Sequence, residues 1–227
     1  MPFICLAEPT DIPYNAAVMA VDIQKYTGGP VACNAYLLRA EQGAYVAVDA
    51  PLGFADWVLK RLPEGACLTD LLLTHQHFDH VQDAARLQAA TQCRIHAHSP
   101  YSAEFTLAAA ARAWGIEPPA PFVVDEVLGD ATPRADWGGL AWQLHAIPGH
   151  APDGMAYGLP AEPCVFVGDI LFAGSIGRTD FPGGSHAALV RGIREKLLAL
   201  DPATAVYSGH GPDTSMQEEM LNNPYVC

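Results

Sequence analysis

The chain has 227 residues, half of them hydrophobic, and a mean hydropathy of +0.11, which excludes a disordered or fibrous protein and allows a full hydrophobic core without staples. Lys and Arg number 12 against 25 Asp and Glu, a net charge of −13 that argues against nucleic acid or an anionic membrane as partner and points to a small-molecule substrate. An anionic substrate would need a local basic patch, because the global field repels it.

The six cysteines stand at least 26 positions apart and form no CxxC unit. With no secretion signal and no apolar run of membrane-spanning length, reduced thiols in a cytoplasmic protein are expected, mostly buried, with Cys227 the one reactive candidate. Homo-oligomer formation stays open.

Residues 1–15, broken by prolines, read as an N-terminal extension, and residues 16–227 as one domain with no visible boundary. Strands are expected over 16–24, 31–39 and 44–49, with Gln42 and Gly43 turning a hairpin between the last two. Phe54, Trp57, Val58, Leu59 and Leu62 mark one face of a helix over 54–62, stopped by Pro63 and Gly65. A strand over 68–74, a helix over 81–91 and a strand over 94–98 follow. Residues 101–114 are alanine-rich and expected to be helical, and 115–120, with Pro118 and Pro119, to be a loop.

A second strand-rich stretch starts near Val123 and includes 140–147, 155–159 and 164–167. The glycine-rich run 172–184 reads as an active-site loop. A helix over 186–200, a strand over 205–207 and a helical segment over 215–221 close the chain. Two meanders, each followed by helices, imply an α/β protein built as a four-layer αββα sandwich.

The chemistry concentrates after the apolar run Leu71, Leu72, Leu73, where Thr74-His75-Gln76-His77-Phe78-Asp79-His80 places three imidazoles and a carboxylate within six residues. Desolvating such a set is costly unless a cation compensates it. His150, Asp169 and His210 each follow an apolar strand and each adjoin a glycine, so backbone can pass close to a buried ion. Imidazole and carboxylate donors without thiolate suit Zn²⁺, Fe²⁺ or Mn²⁺. His96, His98, His145 and His186 match no such position and read as surface or hydrogen-bonded histidines, with His98 a candidate for supporting the site.

The THxHxDH pattern with its three downstream partners resembles the metallo-β-lactamase superfamily of metal-dependent hydrolases, from about Ala16 onward. That resemblance implies two divalent ions, zinc before iron or manganese. His75, His77 and His150 would hold one and Asp79, His80 and His210 the other, with Asp169 bridging them. It also implies that Asp79 and Asp169 take part in catalysis. The segments 168–172 and 174–184, which include Gly174-Ser175-Ile176-Gly177-Arg178-Thr179-Asp180-Phe181, are similar to the glyoxalase II (hydroxyacylglutathione hydrolase) branch in its short bacterial form. The activity so implied is hydrolysis of S-acylglutathione or a similar small thioester by a metal-bridging hydroxide.

Arg178 is expected either to pair with Asp180 or to steer an anionic thiol. The chain ends soon after His210, without the helical domain with which longer glyoxalase II enzymes grip glutathione. Ala151-Pro152-Asp153-Gly154 stands where the family often has Thr-Pro-Gly. Two alternatives accompany the reading. One is a mononuclear Fe(II) persulfide dioxygenase using His75, His150 and Asp169; the other is a non-catalytic, metal-stabilised binding module. A β-lactamase is disfavoured for want of a periplasmic address.

Overall fold

The computed structural model describes residues 21–40 and 43–227. Side-chain alternation fixes its layers. Along one strand Leu37 faces one way while Tyr36 and Leu38 face the other, and Leu71 and Leu73 likewise oppose Leu72. A sheet apolar on both faces must be covered on both, and the fold supplies those covers.

The first sheet contains β1 (Asp22–Gly28), β2 (Cys33–Arg39), β3 (Ala44–Val48), β4 (Cys67–Leu72), β5 (Arg94–Ala97) and β6 (Glu126–Val127) in that spatial order. Its first three strands form an antiparallel meander, and β3 to β6 pair in parallel. Parallel pairs need crossovers, which α1 (Phe54–Leu59), α2 (Phe78–Val81), α3 (Ala84–Thr91) and α4 (Ala108–Ala113) occupy. The second sheet runs β14-β13-β10-β9-β8-β7, from β7 (Arg134–Trp137), β8 (Leu140–Ala146), β9 (Met155–Leu159), β10 (Cys164–Gly168), β13 (Ala205–Ser208) and β14 (Thr214–Ser215). A small hairpin of β11 (Leu171–Phe172) and β12 (Ser175–Ile176) follows β10. The helices α5 (His186–Gly192), continued by a π-helical turn Ile193–Leu197, and α6 (Met216–Asn222) complete the chain.

Three apolar clusters separate four layers, as the sequence led us to expect. Phe54, Val58, Val81 and Leu87 pack on Leu37, Ala47, Leu71 and Ile95. Tyr36, Leu38, Val46 and Leu72 meet Trp142, Leu144, Tyr157 and Phe166 between the sheets. Leu189, Ile193, Leu197 and Met216 cover Val165, Val167 and Val206 on the far side.

Several expectations need correction. The extension over residues 1–15, the strand residues 16–20 and Gln42 lie outside the described residues, and β1 instead extends through Gly28. The first helix stops at Leu59, not Leu62, and the expected 81–91 helix starts at Ala84, preceded by the short α2. Of the helix expected over 101–114 only Ala108–Ala113 is α-helical, because Leu107 adopts a left-handed φ of 51°. The strand near Val123 joins the first sheet as β6, so the second meander begins at β7, which the sequence reading missed. Cys67 is exposed like Cys227, not a core thiol. No helix among the described residues is long and apolar enough to cross a membrane.

Candidate metal centre

The first donor segment leaves β4 at Leu72 and is buried throughout. His77 stands at the N-terminal boundary of α2, and Asp79 and His80 lie within it, so one helical turn aims consecutive donors differently. His150 follows β8, Asp169 follows β10 and His210 follows β13. All seven side chains expected from the sequence therefore gather at strand ends, six of them buried and His210 half-buried. The donors of His75, His77 and His150 form one group, and those of Asp79, His80 and His210 another.

Four of the five rings have an outer partner on Nδ1. His80 Nδ1 donates to Asp49 Oδ2 at 2.8 Å, His150 Nδ1 to the Arg178 carbonyl at 2.8 Å and His210 Nδ1 to the Ala32 carbonyl at 3.3 Å. Thr74 Oγ1 donates to Asp49 Oδ2 at 2.7 Å and faces His75 Nδ1 at 3.2 Å. These bonds turn the Nε2 atoms of His75, His80, His150 and His210 inward, the arrangement that outer partners impose on metal-ligating histidines.

Inside, the donor atoms converge to within hydrogen-bonding distance of one another. His150 Nε2 lies 2.9 Å from His77 Nδ1, and His210 Nε2 lies 3.1 Å from Asp79 Oδ2. His80 Nε2 is 3.7 Å from Asp79 Oδ2 and 3.2 Å from Asp169 Oδ1, but the second contact is misaligned for a hydrogen bond. The other oxygen of Asp169 lies 3.5 Å from His150 Nε2 and 3.6 Å from His210 Nε2, so this carboxylate touches both groups. Buried His75 Nε2, His80 Nε2 and Asp169 Oδ1 have no hydrogen-bond partner. Donors around a tetrahedral ion with bonds near 2.0–2.1 Å stand roughly 3.3 Å apart. The spacings and the unsatisfied atoms fit cations.

Electrostatics divides the site. Burial, reinforced by neighbouring imidazoles, holds His75 well below the ordinary imidazole range and His77 at about 3; burial also lowers His150. These three rings are neutral donors at pH 7. Burial opposes ionisation of Asp79 and Asp169, yet the positive charge of His80 outweighs it and both stay below the usual carboxylate range. Against its own desolvation, His80 is held well above the ordinary value by the carboxylates of Asp169, Asp79 and Asp49. The carboxylate side of the centre thus draws positive charge.

Two contributors escaped the sequence reading. Asp49, at the end of an expected strand, accepts hydrogens from Thr74 N at 2.8 Å, from Thr74 Oγ1 and from His80. Cys33 is fully buried, and its thiol joins the group of Asp79, His80 and His210, with all donor atoms within 4.8 Å of one another. Burial pushes that thiol up to about 12. Neither residue lies in a recognisable motif; only the pairing of β2 beside His210 brings Cys33 in.

Glycines let the strands approach. At Gly168, with φ of 50°, a Cβ would strike the Thr74 side chain, and at Gly209 it would strike Asp169 Oδ1 and the His80 ring. Arg178 pairs with Asp180 through two 2.6 Å bonds and lies over the Phe181 ring at 4.4 Å. His98 bonds Ser99 and Asp130, and His96 is buried between Asp70 and Glu126; neither contacts a donor. A cleft of ≈ 340 Å³ opens onto His77, Asp79, His150, Asp169 and His210.

Residues 28–210 match the family model described as "Metallo-beta-lactamase superfamily". The chain belongs to this superfamily. Among its metallo-beta-lactamase superfamily relatives are a probable metallo-hydrolase, YqgX of Bacillus subtilis, 32% identical over 87% of this chain and 94% of the relative, and the hydroxyacylglutathione hydrolase GloC of Haemophilus influenzae, 31% identical over 79% and 86%. Solved structures similar to it include the BLEG-1 B3 metallo-beta-lactamase (TM-score 0.81, 30% identity, 90% of this chain and 99% of that one). TTHA1623 in a di-iron-bound form gives 0.78 at 34% identity over 89% and 99%. ETHE1 from Myxococcus xanthus gives 0.75 at 26% over 90% and 84%. The superfamily fold with a His/Asp cluster suited to metal is thereby established for this chain.

Proposed function

We propose that the protein is a binuclear metal-dependent thioester hydrolase of glyoxalase II type. The observation that carries this reading is the convergence of two donor groups on the Asp169 carboxylate at the floor of an open cleft. His75, His77 and His150 would hold one divalent ion and Asp79, His80 and His210 the other, with Asp169 shared. Zinc is the first candidate for this donor chemistry, and the di-iron form of TTHA1623 supports iron as well. Such ions supply Lewis acidity and lower the pKa of a water toward about 7.

The chain's own groups do the rest. The Arg178 carbonyl fixes the His150 tautomer, and Asp49 fixes that of His80. Phe181, edge-on to His77 at 5.2 Å, shields one rim from bulk water. A thioester carbonyl seated on the floor meets no serine or cysteine nucleophile among the residues lining the cleft, and a thiolate needs little acid help in leaving. The likeness to GloC and the GRTDF segment support the thioester class. The dioxygenase alternative needs only His75, His150 and Asp169, and the intact second group weighs for the hydrolase.

Thiol release from S-lactoylglutathione and a wider thioester panel, followed with zinc- or iron-loaded protein, tests the proposal. Turnover should fall at least about 100-fold in His77→Ala and Asp79→Ala. Equal rates in the variants would sink the reading. Oxygen uptake with glutathione persulfide would favour the dioxygenase, β-lactam turnover a BLEG-1-like activity, and inertness toward all three the binding module.

A further inference from the structure

The cleft's walls contrast with its floor. Above the donors stand Val31, Phe78, Leu107, Trp114, Phe172 and Phe181, contributed by five separate segments. Two of them remain conspicuously open to solvent, Trp114 at 54% and Val31 at 41% exposure. Trp114 meets Phe78 edge-to-face at 6.0 Å, and both rings line the cleft. Leu107, which turns the chain into α4, holds the left-handed φ of 51°, a conformation that costs a side-chain-bearing residue about 1 kcal/mol or more. Large apolar groups grouped beside a reactive floor are a binding surface rather than a random exposure.

Charge is scarce on those walls. Arg178 is the one Lys or Arg among the described residues lining the cleft, and Asp180 and the Phe181 ring already engage its guanidinium. Glutathione carries two carboxylates and coenzyme A several phosphate charges; recognising either takes free Arg or Lys donors. The net charge of −13 opposes both.

We infer that this cleft is an acyl-binding subsite for an aryl or branched-alkyl group, with Trp114 its specificity determinant, and that the thiol portion of the substrate is uncharged where it meets the protein. The inference rests on the thioester-hydrolase reading and narrows it. The acyl group lies between Trp114 and Phe181, the carbonyl reaches the floor, and the thiol points outward past Arg178.

The test uses metal-loaded full-length protein and four substrates: phenylacetyl and D-lactoyl thioesters of N-acetylcysteamine and of glutathione. For either thiol, kcat/KM should favour phenylacetyl by about tenfold or more. The N-acetylcysteamine esters should be turned over at least as well as their glutathione counterparts. Trp114→Ala should cut the phenylacetyl-to-lactoyl ratio about fivefold, chiefly through KM, and Trp114→Phe should restore most of it. A lactoyl preference, a marked preference for glutathione esters, or an unchanged ratio in Trp114→Ala overturns the inference while leaving the hydrolase reading intact. Should no thioester turn over, that reading fails by itself. Calorimetric titration with phenylacetate and D-lactate still decides the subsite: tighter phenylacetate binding, lost in Trp114→Ala, supports it, and equal binding refutes it.

Discussion

Asp49 adopts φ of 59° and places its carboxylate between Thr74 and His80, where it orients a donor without being one. Removing such a partner frees the ring and lowers its basicity, typically weakening metal affinity by about 10–100-fold. Asp49→Ala is therefore expected to bind zinc at least tenfold more weakly in competition with a chromophoric chelator, with secondary structure by circular dichroism retained. At this scale the sequence displayed donors and hid their supports. His75, His77, Asp79 and His80 are contiguous and visible. Asp49 and Cys33 act across strand pairings, 31 residues before His80 in the first case, and nothing in their local context differs from a turn or a core thiol.

Among the elements, the loop after β8 carries a buried acid. Asp153 Oδ2 accepts from Gln76 N at 3.1 Å while Oδ1 has no partner, and burial raises the group to about 6. An unfolded aspartate titrates near 3.9, so the native state binds more protons between those values, and stability falls as pH rises from about 4 to about 6 before levelling. Asp153→Asn abolishes this slope. Urea unfolding at pH 4 and pH 7.5 should show the variant gaining on the wild type by about 1–3 kcal/mol at the higher pH.

A second tie joins α6 to the glycine-rich loop. The fully buried Glu219 carboxylate accepts from Gly174 N at 3.0 Å, Thr214 Oγ1 at 2.7 Å and Asn223 Nδ2 at 2.7 Å. Glu219→Ala leaves those donors unpaired and should cost about 2–4 kcal/mol in chemical denaturation, with faster hydrogen exchange over residues 174–181. Helix periodicity and turn residues announced α1, α3 and α6, but the edge strands β6 and β7 and the short α4 follow from tertiary pairing and from Leu107, which no periodicity encodes.

The whole molecule closes the centre by bringing both sheets to one edge: β4 supplies four donors from the first, and β8, β10 and β13 supply the others from the second. Two strand meanders, each followed by helices, made four layers readable in the sequence, whereas the meeting of strand ends is a property of the packed sheets. Ions bound across that seam stabilise the native state alone. At free metal about 1,000-fold above Kd, one ion contributes roughly 4 kcal/mol, and a chain of this size shifts about 2–4 °C per kcal/mol. Chelation should lower the melting temperature by about 10 °C or more in scanning calorimetry, and zinc should restore it.

The seam also explains Gly168 and Gly209, whose missing Cβ atoms would occupy space taken by Thr74, Asp169 and His80. They form the mould in which the donors are cast. Variation at these two positions is closed off as firmly as at the ligands themselves, although neither offers an atom to any reaction. A chemist redesigning the centre for another ion inherits a fixed volume before choosing a single donor.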